Sequence, residues 1–183
     1  MRPVWRKALM GFTTAVSCTV GVAAYAASAP DFEGQRYYRL STMFRGPKMS
    51  LDIVNGGEKT DTPRLASASG VSGQYWRIQP AGHGFWRLST MFRGGSMCLE
   101  VITSGAQRGE AKLAPCTDFN GQLWRITEGE LGYLRLSTRL HGPGMCLDVF
   151  NGGPDDNQPI LLKCGGYTGQ LWQIRPTDSY ERD

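Results

Sequence analysis

The 183-residue chain carries 20 Lys and Arg against 16 Asp and Glu, a formal net charge of +4, with 40% hydrophobic residues and 24 glycines. Three of the basic residues stand at Arg2, Arg6 and Lys7, and the rest of the chain holds 17 basic against 16 acidic side chains. That balance, with no basic stripe interleaved with aromatics, excludes an electrostatic grip on nucleic acid.

Residues 1–29 read as a secretory leader: the three cations precede an uncharged apolar run from Ala8 to Ala27, and small residues end it at Ala24-Tyr25-Ala26 and Ala27-Ser28-Ala29. Cleavage is expected after Ala26 or after Ala29. The alternatives are a membrane anchor, since the run is close to the roughly 20 residues that span a bilayer, and lipid attachment at Cys18. The Gly, Ser and Thr content speaks against the anchor, and Ala15 with the apolar run continuing past the cysteine speaks against the lipid. Removal of the leader places the chain outside the cytoplasm, secreted or periplasmic, with no membrane span in the mature chain.

A linker at 30–36 leads into a 48-residue unit that occurs three times without insertion, at 37–84, 85–132 and 133–180, before a tail at 181–183. The copies open with YYRLSTMFRGPKMSLDIV, FWRLSTMFRGGSMCLEVI and YLRLSTRLHGPGMCLDVF, and each closes with Gly-Gln-x-Trp. A fixed period marks one supersecondary unit too small to bury its own apolar face. In the first copy four short strands are predicted, over 37–42, 49–54, 64–68 and 74–79, separated by the turn signals Arg45-Gly46-Pro47, Asn55-Gly56-Gly57 and Ser72-Gly73. No 3.6-residue periodicity competes. Thirteen of the 48 positions are identical in all copies: Arg39, Leu40, Ser41, Thr42, Gly46, Met49, Leu51, Gly57, Leu65, Gly73, Gln74, Trp76 and Ile78, with their counterparts. The repeated Leu, Met, Ile and Trp are expected to meet around a threefold axis. Twelve strands in three equivalent units make a β-trefoil, with Trp76, Trp124 and Trp172 in its core.

Four cysteines follow the leader, and Cys98 with Cys116 and Cys146 with Cys164 hold the same two positions of their copies, 18 residues apart. The repeat therefore predicts those two disulfides, suited to an oxidising compartment. The first copy has Ser50 and Ala68 instead. Only His83 and His141 exist and no C-x-x-C spacing appears, so no metal site and no cofactor is expected.

The Gln-x-Trp closing each copy, with CLDV at 146–149 and a cysteine 18 residues on, resembles the ricin B-chain type lectin family of β-trefoils, over 37 to about 177. The resemblance implies shallow sugar pockets, up to one per copy. In such a pocket an Asp on the second strand accepts from two hydroxyls, an aromatic before the second cysteine stacks on the sugar, and Asn or Gln near the Gln-x-Trp completes the site. The acid is kept as Asp52 and Asp148, with Glu100 between, and the glutamine as Gln74, Gln122 and Gln170. The aromatic is replaced by Ala66, Ala114 and Leu162, and the Asn before the glutamine by Gly73, Gly121 and Gly169, which puts a galactose pocket of the usual design in doubt. The expected polar clusters are Asp52 with Asn55 and Asp61, and Asp148 with Asn151 and Asn157, whereas the middle copy offers Glu100, Thr103 and Gly109. Phe150, Phe119 and Tyr167 are the candidate stacking surfaces. For Gln74 and Gln170 a turn hydrogen bond competes with ligand contact.

Arg39, Arg87 and Arg135 are read mainly as structural, with an anionic ligand as the lesser role. The apolar hairpin tips Met43-Phe44-Arg45 and Met91-Phe92-Arg93 are read as core by default, with a contact surface as the lesser reading. A hydrolase needs paired carboxylates or a nucleophile beside an oriented base, and neither histidine has a repeat-supported partner. The expected function is a non-catalytic module for glycan or polysaccharide, with a protein-binding trefoil, an inhibitor or adhesion module, as the alternative.

Overall fold

The period of 48 residues is realised as twelve strands in a computed structural model that describes residues 31–181. The leader read at 1–29, with Cys18, lies outside the described residues, as do the last two of the chain. Each copy contributes four strands: β1 (Arg36–Thr42), β2 (Met49–Ile53), β3 (Pro63–Ser67) and β4 (Trp76–Gly82); then β5 (Phe85–Thr90), β6 (Met97–Val101), β7 (Ala111–Pro115) and β8 (Trp124–Glu128); then β9 (Leu134–Thr138), β10 (Met145–Val149), β11 (Pro159–Lys163) and β12 (Trp172–Tyr180). The outer two strands of every copy join a closed six-stranded barrel in the order β1-β12-β9-β8-β5-β4, and the inner two form a hairpin, β2-β3, β6-β7 or β10-β11. That is the β-trefoil. Among the described residues no helix is long and apolar enough to cross a membrane.

The invariant positions explain the architecture. Trp76, Trp124 and Trp172 open the last strand of each copy and are fully buried. Each indole Nε1 donates to the carbonyl of an invariant leucine, Leu51 (2.7 Å), Leu99 (2.8 Å) and Leu147 (2.7 Å). The ring thus fills the core and bolts the hairpin to the barrel while leaving no buried donor unpaired. Leu40, Leu65, Ile78 and their counterparts complete the core, with Ile174 only partly buried. At the turn after the first strand of each copy the invariant Thr hydroxyl accepts from the amide of Arg45, Arg93 or His141. The following glycine, at φ near +70° in each copy, takes the left-handed conformation that closes the turn.

The copies are stitched to one another in a ring. Asp61, Gly109 and Asn157 occupy one repeat position, all at positive φ (66°, 95° and 70°). Their carbonyls accept from Leu113 (2.8 Å), Leu161 (2.7 Å) and Leu65 (2.8 Å), each in the next copy around the axis. Both predicted disulfides are present, Cys98–Cys116 and Cys146–Cys164.

The first three strands lie within one residue of the sequence reading, and the fourth departs further, running to Gly82 rather than 79. The fourth strand was expected from Gln74, but it begins at Trp76, because Ser72–Gln74 form a 3-10 turn, repeated at Asn120–Gln122 and Thr168–Gln170. The turn buries the glutamine side chain, whose bonds fix the site described next.

Candidate functional site

The second-strand acid and the closing glutamine are built as one unit. Asp52 Oδ1 accepts from the amide of Ile53 and Asp148 Oδ1 from that of Val149, both at 2.8 Å. Each Oδ2 accepts from the glutamine Nε2, at 3.1 Å from Gln74 and 3.0 Å from Gln170. The same Nε2 donates to the carbonyl of Ser67 or Lys163, and the glutamine Oε1 accepts from the amide of Ser69 or Gly165. Gln74 and Gln170 are 1% and 0% exposed with both amide hydrogens committed, so they do not contact ligand as one sequence reading had it. They position the carboxylate. Each carboxylate oxygen accepts one bond within the protein and keeps a second lone pair.

The glycine before the glutamine has a steric cause. A Cβ on Gly73 or Gly169 would collide with Oδ1 of Asp52 or Asp148, so the carboxylate lies directly over the glycine backbone. A side chain there, such as the Asn of the usual lectin pattern, is incompatible with this placement of the acid.

In the third copy the acid lies in a pocket of ≈ 590 Å³ lined by Asp148, Asn151, Leu162, Tyr167, Thr168 and Phe44. The first copy has a smaller one, ≈ 360 Å³, with Asp52, Asn55, Ala66, Val71, Ser72 and Phe92 at the matching places. Asp148 itself is 7% exposed, on the pocket's inner side, whereas Tyr167 is 64% exposed. The larger pocket owes its apolar wall to Leu162 and Tyr167. The middle copy is altered twice: Glu100 is held by Gln122 (2.8 Å) and paired with Lys112 (3.3 Å), and the Phe119 ring lies against Gly121.

Two residues of the expected clusters go elsewhere. Asn157 is not part of the Asp148 pocket; its left-handed backbone turns it to the seam between copies, where its Nδ2 donates to Asp156 (2.8 Å) and its carbonyl accepts from the Leu65 amide as part of the ring of bonds above. Asp61 sits at the equivalent seam and pairs with Arg93 at 2.5 Å, as Asp156 pairs with Arg45 at 2.6 Å. Of the stacking candidates, Tyr167 lines the third pocket, Phe119 packs on Gly121, and Phe150 lines neither pocket. Sequence reasoning missed Phe44 and Phe92 as pocket walls. They come from the turn after the first strand of the neighbouring copy, and their apolar character in a turn was the signal. Among the described residues no three His, Cys, Asp or Glu are grouped to hold a metal ion.

Residues 72–163, half of the chain, match the family model described as ricin-type beta-trefoil lectin domain-like. The chain belongs to this ricin-type lectin-like family. Solved structures agree on the fold. ThreeFoil, a designed threefold-symmetric protein, superposes with a TM-score of 0.62 at 27% identity, over 76% of this chain and 97% of that one. A mosquitocidal holotoxin gives 0.69 at 13% identity over 80% of this chain, which spans 18% of the holotoxin's length. The Polyporus squamosus lectin, bound to a human-type influenza-binding epitope, gives 0.61 at 18% identity over 79% of this chain and 50% of that one. No curated protein matches the sequence. At the positions of the ricin-type pattern the acid and the glutamine are present, Tyr167 and Phe44 wall the third pocket, and Gly73 and Gly169 leave room for the carboxylate where the pattern has Asn.

Proposed function

We propose that the protein is an exported, non-catalytic carbohydrate-binding module whose principal sugar site is the third-copy pocket, with a weaker one in the first copy. The observation that carries this reading is the Asp148 carboxylate, fixed by Gln170 and the Val149 amide on the inner side of a pocket walled by Tyr167 and Phe44. An ionised carboxylate with free lone pairs makes charge-assisted hydrogen bonds to vicinal hydroxyls, while the C–H face of a sugar prefers an aromatic surface. Asn151, in the same lining, supplies a donor and an acceptor. Asp148 is the one carboxylate of that lining, where general acid and base work on a glycosidic bond uses two. Two shallow sites on one body favour polymeric glycans through avidity. The two disulfides support an oxidising compartment, in line with a leader at 1–29.

A glycan and polysaccharide array probed with the oxidised protein tests this. Binding is expected to fall at least tenfold in Tyr167→Ala and Asn151→Ala, both at the pocket rim, and to vanish in the Asp52→Ala, Asp148→Ala double variant. Glycan binding that survives all three removes the site assignment. Absence of binding to any glycan moves the function to a protein-directed trefoil.

A further inference from the structure

The invariant first-strand arginine is neutralised in the second and third copies and not in the first. Arg87 Nη2 pairs with Asp118 at 2.7 Å and Arg135 Nη2 with Glu130 at 3.2 Å. Arg39 has no carboxylate partner among the described residues. It donates instead to Gln74 Oε1 (3.4 Å), the Ser69 carbonyl and the Tyr75 hydroxyl (3.3 Å), with its guanidinium 5.0 Å from the centre of the Tyr75 ring. The position of Asp118 is Gly70 in the first copy.

The residue paired across the barrel differs in the same copy. Arg87 faces Gln79 and Arg135 faces Thr127, but Arg39 faces Arg175, which is exposed and has no ion-pair partner among the described residues. Like charges directly opposite on an antiparallel pair are destabilising. Two unneutralised guanidinium groups placed opposite each other are therefore a cost that a bound anion removes.

These arginines line a pocket of ≈ 400 Å³ that includes Ser50 and Ala68, the positions bridged by sulfur in the other two copies. Ser41, Thr177 and Ser179 add hydroxyls, and Tyr75 and Pro176 an apolar face; Asp178 shares the lining, leaving two cations to one anion. The pocket has no residue in common with the Asp52 or Asp148 pockets.

We propose that this pocket binds the carboxylate or sulfate group of an acidic saccharide, held by Arg39 and Arg175 as bidentate donors with the sugar ring against Tyr75. The planar guanidinium fork suits such oxyanions. The saccharide part of the assignment rests on the lectin-like reading, but the anion part does not, and inorganic sulfate tests it alone.

The test is titration of the oxidised full-length protein, by calorimetry and by backbone amide shifts, with hexagalacturonate, a sulfated galactose oligomer, the neutral galactose oligomer and sodium sulfate. The acidic ligands are expected to bind with salt-sensitive affinity and to move amides at residues 175–179, and the neutral oligomer is not. The two acidic oligomers separate carboxylate from sulfate ester as the preferred group. Arg175→Gln installs the residue found opposite Arg87 and is expected to weaken acidic binding at least tenfold without loss of fold. Joining the two positions in the Ser50→Cys, Ala68→Cys variant is expected to close the pocket and weaken binding similarly while raising thermal stability. Acidic binding unchanged in Arg175→Gln overturns the proposal. So does acidic binding that falls in Tyr167→Ala, which would assign the anion to the third-copy pocket. Sulfate binding with neither acidic oligomer overturns the saccharide assignment.

Discussion

Substituting alanine for Gly169 separates a steric role from a purely conformational one. Its φ is not positive, so the backbone alone tolerates alanine, and loss of unfolded-state entropy would stabilise by about 0.4–1 kcal/mol. The new Cβ, however, meets Asp148 Oδ1 and expels the carboxylate from its place. Two hydrogen bonds to a charged group are lost, from the Val149 amide and from Gln170 Nε2, each contributing about 1.5–3 kcal/mol. Rehydration of the displaced carboxylate returns part of that, and the net loss works out at about 2–4 kcal/mol. Gly121→Ala is the internal control: its Cβ meets the Phe119 ring, which is partly exposed and free to swing outward, so the change should stay within about 1 kcal/mol. Urea unfolding of both variants reads the difference, a midpoint shift of about 1–2 M for Gly169→Ala at an ordinary slope. Equal losses in the two variants would refute the argument that the glycine exists to seat the acid.

Four further outcomes are expected. Gln170→Ala leaves Asp148 Oδ2, the Lys163 carbonyl and the Gly165 amide without their partner and should cost about 3–5 kcal/mol in the same assay. Replacing Cys98 and Cys116 by serine opens an 18-residue loop and should lower stability by about 3 kcal/mol, read as a fall in the urea midpoint. Asn157→Gly should be neutral or stabilising, since Gly109 already serves at the equivalent seam, whereas Asn157→Val forces a β-branched residue to φ 70° and should lose about 1–2 kcal/mol by thermal unfolding. Glu110 has its pKa raised above 4.5, by burial first and by Asp155 second. The folded state therefore binds that proton more tightly than the unfolded chain, so its contribution is fully present below pH 4.5 and is lost as pH rises through the folded pKa. Glu110→Gln should flatten that fall in a series of unfolding curves across mildly acidic pH.

The repeat carried most of the fold. Identical Leu, Ile and Trp at matched places can only converge if the units are arranged symmetrically, and matched cysteine spacing chose one pairing of three. The site was less legible for reasons that lie in three dimensions. Asn157 follows Asp148 and Asn151 closely in sequence, but its left-handed backbone directs it to the seam, and Asp61 is taken up by Arg93 from another copy. Phe44 was sought in the core, and it does pack there, yet its other side faces a pocket whose acid belongs to the opposite end of the chain. Sequence adjacency favours local clusters, and a closed barrel makes its sites from neighbours around the ring. The Gly73 and Gly169 substitutions read as losses from a lectin pattern until the carboxylate was seen lying over them. The pairing of Arg39 with Arg175 depends on the strand register that closes the barrel, which no local pattern reports.

The ring of neighbours also sets an order of completion. The first pocket receives Phe92 from the copy synthesised next, but the third must reach back to Phe44, in the first turn made. The roomier of the two acid-bearing chambers is thus the one that waits for closure of the whole circle. A chain shortened at its front past that turn would retain every residue of its last repeat, unaltered, and would still have lost a wall of that chamber.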